Sequence, residues 1–189
     1  EPLLSAQDAL VVERSLPHGH VQAVLEAIKR IGLDTLIGAK RSHERDLVLA
    51  MIVERLIHPC SKLATTRLWH SSTLAEELAV GDATEDDLYE AMDWLLERQS
   101  RIEHKLAVRH LGEGTQVLYD VTSSYYEGRT CPLMRFGHDR DGKSGRPIVV
   151  YGALTDAQGR PIALQVYPGN TADPTTVPDQ VHKLREKFA

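Results

Sequence analysis

The chain has 189 residues, 42% of them apolar and 26% charged, which leaves room for one large domain or two small ones and excludes a disordered or fibrous chain. Twenty-two Lys and Arg against 27 Asp and Glu give a net charge of −5, which argues against a protein that coats nucleic acid. No apolar run approaches the roughly 18 residues of a membrane helix, and no signal-peptide pattern opens the chain.

Residues 1–112 read as helical. Val21, Val24, Leu25, Ile28, Ile31 and Leu36 recur at helical spacing, punctuated by Gly32 and Gly38. A second helix is expected from about His43 to Ile57, with Leu47, Val48, Met51, Ile52 and Leu56 on one stripe and Pro59 beyond its end. Ser61 is placed to cap a short helix through Leu68 and Trp69. Thr84 and Asp87 have capping-box spacing and open a predicted long helix to about Arg109, with Leu88, Met92, Leu95, Leu96, Ile102 and Leu106 as its buried face. Between Ser71 and Glu97 stand nine acidic residues and no basic one, which reads as a solvated, dipole-favoured helix start rather than an acidic contact surface.

At Gly112 the texture changes, so the division expected is a helical region 1–112 and a second region 113–189. Thr115 to Val121, Pro147 to Thr155 and Pro161 to Tyr167 are rich in strand formers, and Asp156 to Arg160 reads as a hairpin turn. A helix is expected from near Thr175 to the end. The class is therefore α+β. Three strands before a helix are how a ribonuclease-H-like domain begins, and the chain stops before the fourth strand, so a truncated core is expected. A sheet lacking strands would expose its third-strand edge and part of an apolar face, which favours self-association.

Asp120 is the most informative residue. It stands among Val117, Leu118, Tyr119 and Val121, where a buried carboxylate needs a partner or a metal, while strand alternation leaves a solvent-facing position open. Residues 128–160 hold Arg129, Arg135, Arg140, Lys143, Arg146 and Arg160 against Asp139, Asp141 and Asp156, a local excess that suits either a phosphate backbone or a solvated loop. Asp139 and Asp141 resemble the start of a calcium loop, but Val150 stands where the closing Glu belongs. Gly169, Asn170 and Asp173 are accounted for by a turn and helix capping. No histidine pairs with cysteine at zinc spacing, no Walker or GxSxG motif occurs, and Cys60 and Cys131 read as structural thiols in a reducing cytoplasm.

Taken together, LYDVTSSYYEG and RFGHDRDGKSGRPIVVYGALTDAQGRPIALQVYPGNTADPTT resemble the DDE transposases of bacterial insertion sequences, in the IS4-like superfamily and its IS1634 group. The shared elements, in order, are Asp120 with Thr122; Gly137, Arg140, Asp141 and Gly142; Gly152; Gly159 with Pro161; and Gly169, Asn170 and Asp173. The resemblance implies a ribonuclease-H-like core in which three carboxylates hold two Mg²⁺ ions for DNA strand cleavage and transfer, with Asp120 as the first ligand. It implies DNA element ends as partner, a homo-oligomeric synaptic complex, and no membrane. The second Asp and the Glu are expected beyond Ala189. Arg135, Arg140, Lys143 and Arg146 are the expected DNA-backbone contacts. The alternatives are a catalytically inactive remnant that only binds DNA or a partner, and a helical interaction module using residues 71–97.

Overall fold

Short-range signals decide where the helices begin. The structure, a computed structural model, describes residues 11–112, 114–138, 142 and 145–188. Chain order is α1 (Gly19–Ile31), α2 (Leu33–Ile37), α3 (His43–Ile57), α4 (Lys62–Leu68), a 3-10 turn (Trp69–Ser71), α5 (Leu74–Glu77), α6 (Glu85–Leu96), α7 (Gln99–His110), β1 (Val117–Tyr125), β2 (Ile148–Asp156), β3 (Pro161–Pro168) and α8 (Asp173–Phe188). The Ser42 and Ser61 hydroxyls accept the amides of Arg45 and Ala64, capping α3 and α4. At α6 the capping box is complete: Asp87 N–H donates to Thr84 Oγ1 (3.4 Å) and Thr84 N–H to Asp87 Oδ2 (2.7 Å). The bonds from the Thr84 amide and hydroxyl hold the Asp87 carboxyl below its ordinary range. Gly32, at φ 68°, occupies the left-handed region that a side chain would strain, and so separates α1 from α2.

The chain divides into two compact units, Glu1–Gln99 and Ser100–Ala189. In the first, α3 is the central helix. Leu47, Val48, Leu49, Ala50 and Val53 are all buried, which needs neighbours on more than one side. α1, α2, α4 and α6 supply them, together with the fully buried Trp69. The expected stripes hold at Val21, Leu25, Ile28 and Leu88, whereas Ile31, Leu56, Met92 and Leu96 are exposed. Two acidic groups inside α3 are buried with partners: Asp46 accepts from Arg41 Nε (2.6 Å), and Glu54 pairs with His58 Nδ1 (3.0 Å).

The helix expected from Thr84 to Arg109 is two helices. Arg98 stands at the break. Its guanidinium donates to the Trp94 carbonyl (2.9 Å) and lies 3.7 Å from the Trp94 ring centroid. The Arg98 amide donates to Leu95 O (3.0 Å), the tighter bond of a helix that is ending. All of α7 except its first residue, Gln99, lies in the second unit.

In that unit the strands form one antiparallel sheet of order β1-β2-β3. β1 extends to Tyr125, four residues past the run expected from strand formers, paired throughout with β2. Leu154, Ile162 and Ala163 pack against Ala107 of α7, Leu111 just beyond its end, and Leu184 of α8, so one sheet face is covered by both helices. On the other face Leu118, Leu164 and Val166 remain exposed. The third-strand edge, expected to lie open, is engaged at its middle. Leu164 N–H donates to Glu103 Oε1 of α7 (3.0 Å), and Lys183 Nζ of α8 donates to both Glu103 (2.9 Å) and Leu164 O (3.3 Å). The β1 outer edge pairs with no strand among the described residues.

The hairpin turn forms where Asp156 to Arg160 predicts it. Asp156 is buried, and its carboxylate accepts the amides of Gln158 (3.0 Å) and Arg160 (2.9 Å) and the Arg160 Nε (2.6 Å). Gly159 turns the chain at φ 78°.

Candidate functional site

Strand alternation sets which β1 side chains meet the covering helices. Tyr119, Val121 and Ser123 share one face, with Leu118, Asp120, Thr122 and Ser124 on the other. Tyr119 and Val121 pack into the hydrophobic clusters under the helices, whereas Asp120 is exposed. The cost of burying its charge therefore never arises. Its Oδ1 accepts the neighbouring Val121 amide (2.9 Å), which fixes the carboxylate beside the strand backbone.

Folding brings Asp120 beside a residue that sequence reading treated as a cap. Asp120 and Asp173 line one groove, with Tyr119, Val121, Pro174 and Val177. Asp173 opens α8, and its carbonyl accepts the Thr176 hydroxyl (2.7 Å) in the first turn. Asp173 also borders a second groove with Ser123, His138 and Thr171, floored by Val150 and Gly169. Ser123 is buried, and its Oγ finds no hydrogen-bond partner among the described residues. Ser123, His138 and Thr171 carried no sequence signal as site residues. Only the register of β1 and the position of α8 put them together.

Three glycines of the motif string shape this region through close backbone approach. A side chain on Gly137 would collide with the Gly169 carbonyl, and one on Gly169 with the carbonyls of Ile148 and Arg135. Gly169 N–H donates to Leu133 O (3.0 Å), and Arg135 exchanges both backbone hydrogen bonds with Ile148. The loop before His138 is thus held against the β3–α8 junction. Gly152 leaves room for the Tyr119 ring lying across it.

Of the four cations expected to meet a DNA backbone, Arg135 is exposed but its guanidinium donates to the Pro132 (3.0 Å) and Met134 (2.6 Å) carbonyls. Arg146 pairs with Glu127 and lies 5.5 Å from the Tyr125 ring centroid. Arg140 and Lys143, like Asp139 and Asp141, lie outside the described residues. Cys60 and Cys131 are free thiols.

Of the residues lining the first groove, Asp120 and Asp173 carry carboxylates, a donor type that suits hard cations such as Mg²⁺. No group of three His, Cys, Asp or Glu residues is arranged for a metal among the described residues. No described helix is long and apolar enough to cross a membrane. No protein-family model, no curated protein and no solved structure matches the chain.

Proposed function

We propose that the chain is part of a DDE-type transposase, comprising a helical region and the opening of a ribonuclease-H-like core, and that Asp120 is the first metal ligand of a DNA strand-cleavage site. The observation that supports this most is the position of Asp120. Its carboxylate is exposed on a strand of an antiparallel sheet braced by two helices, and it borders a groove with a second carboxylate. The motif string from Asp120 to Asp173 adds to the reading, since its glycines have structural reasons to sit where they do. Two divalent ions, when bound, activate the attacking oxygen and stabilise the leaving oxygen of an in-line phosphoryl transfer.

The chain's own contribution is to hold one such ion at Asp120 on a rigid strand, while the loop through Arg135 and Arg146 faces the DNA backbone. DNA element ends are the partner and Mg²⁺ the cofactor, in a homo-oligomeric complex on two ends. The test is metal-dependent cleavage of element-end DNA by the protein from the full reading frame. Asp120→Asn is expected to lower the rate by about 10³-fold or more, as removal of a group acting in the transition state does. An unchanged rate would sink the assignment and leave a DNA-binding remnant as the better reading.

A further inference from the structure

We propose that the outer face of α6 is a self-association surface that takes the basic segment 55–68 of a second copy of this chain, an inference that does not depend on any role for Asp120. α6 buries Leu88 and Ala91 and leaves Tyr89, Met92 and Leu96 exposed, at the spacing of three and four residues that sets them on one line of a helix. Apolar periodicity expects Met92 and Leu96 on the buried face, so their exposure is a property of the fold. Beside that line runs a second one, Asp86, Glu90, Asp93 and Glu97, exposed throughout and acidic at every position. An apolar strip with a charged border has the anatomy of a protein–protein contact.

Starting the helix does not account for the acidic line. The helix dipole favours acids in the first turn, which Glu85, Asp86 and the capping Asp87 already occupy. Glu90 and Asp93 lie beyond it, and Glu97 stands at the C-cap, where the dipole disfavours negative charge. Like charges four residues apart, as in Asp86 with Glu90 and Asp93 with Glu97, also weaken a helix. Asp86, Glu90 and Asp93 enter no ion pair among the described residues.

The same compact unit carries the complementary surface. From the last turn of α3 through α4, residues 55–68 hold Arg55, Lys62 and Arg67 and no acidic residue. Leu56, Leu63 and Leu68 are exposed there, together with Arg55 and Arg67. These cations too enter no ion pair among the described residues. Two apolar surfaces of opposite charge on one unit fit each other between copies, and charge complementarity of this kind sets partner and orientation.

The experiment is sedimentation equilibrium of the intact 189-residue chain, without DNA or metal, in a Leu164→Thr, Val166→Thr background that removes apolar side chains exposed on the sheet face. This parent is expected to associate reversibly. Glu90→Lys with Asp93→Lys, or Arg55→Glu with Arg67→Glu, is expected to raise Kd by about tenfold or more, because like charges then meet. Mixed in equal amounts, the two charge-reversed proteins are expected to associate about as tightly as the parent, since each presents the surface that the other has lost. Met92→Gln with Leu96→Gln, which leaves the charges in place, is expected to weaken association by about tenfold. Every replaced side chain in these sets is exposed, so far-UV circular dichroism of each variant is expected to overlay the parent.

Three results would overturn the proposal: a parent that stays monomeric over about a hundredfold range of concentration, charge-reversed proteins that each associate as the parent does, or a mixture no tighter than either variant alone. None of them bears on Asp120, whose reading is tested by cleavage.

Discussion

Asp156 shows how a buried charge is made tolerable at the scale of one residue. Burial pushes its carboxyl up, but the Arg160 side chain, the Arg160 and Gln158 amides and the Arg160 charge outweigh that and hold it below its ordinary value of 3.8. A depressed folded pKa means stability that is present above the unfolded value and lost as pH falls through the folded one. The stability difference between wild type and Asp156→Asn is therefore expected to be constant above about pH 5 and to shrink below it, as measured by urea denaturation at a series of pH values. A difference that persists unchanged into strong acid would show that the carboxylate's charge has no part in the turn. Asp120 illustrates the opposite solution, since exposure on the uncovered face spares its charge any desolvation.

Among the elements, the join between α7, β3 and α8 is the most exacting. Glu103 and Lys183 are nearly buried, and their ion pair also satisfies the backbone of Leu164. Removing one partner of such a pair leaves an uncompensated charge, so Glu103→Ala is expected to cost about 3–5 kcal/mol in a denaturation experiment. The double variant Glu103→Leu, Lys183→Met is expected to recover part of that loss, though Leu164 N–H then lacks its acceptor. A single-variant cost near zero would mean that the pair is solvated.

This join also shows where sequence reading stops. Ser61, Thr84 and Gly159 were legible because a cap or turn is decided by residues a few positions apart. Glu103 was not, because its bond to Leu164 spans 61 residues. The helix break at Arg98 was hidden because the apolar periodicity runs on across it and no Gly or Pro marks it. At the candidate site, the strand and exposure of Asp120 were within reach of alternation arguments, but which face the helices cover was not. Asp173 was visible only as a helix start, and its place beside Asp120 follows from tertiary packing.

For the whole molecule, two features invite association. The β1 outer edge pairs with no strand among the described residues, and the opposite sheet face exposes Leu118, Leu164 and Val166. Unpaired edges and apolar faces recruit further chains, so the 189-residue chain is expected to sediment as a concentration-dependent mixture. Leu164→Thr with Val166→Thr is expected to shift that mixture toward monomer. Purely monomeric sedimentation of the wild type across a hundredfold range, about micromolar to tenth-millimolar, would contradict it.

Exchanging the Asp120 carboxylate oxygens for sulfur tests most directly the proposal that Asp120 ligates a catalytic divalent ion. Asp120→Cys in the full-reading-frame protein is expected to lose cleavage of element-end DNA in Mg²⁺, which avoids thiolate, and to regain a measurable part of it in Mn²⁺, which tolerates softer ligands. Cleavage by the Cys variant at the wild-type rate in Mg²⁺ would contradict the claim, because no carboxylate at position 120 would then be needed.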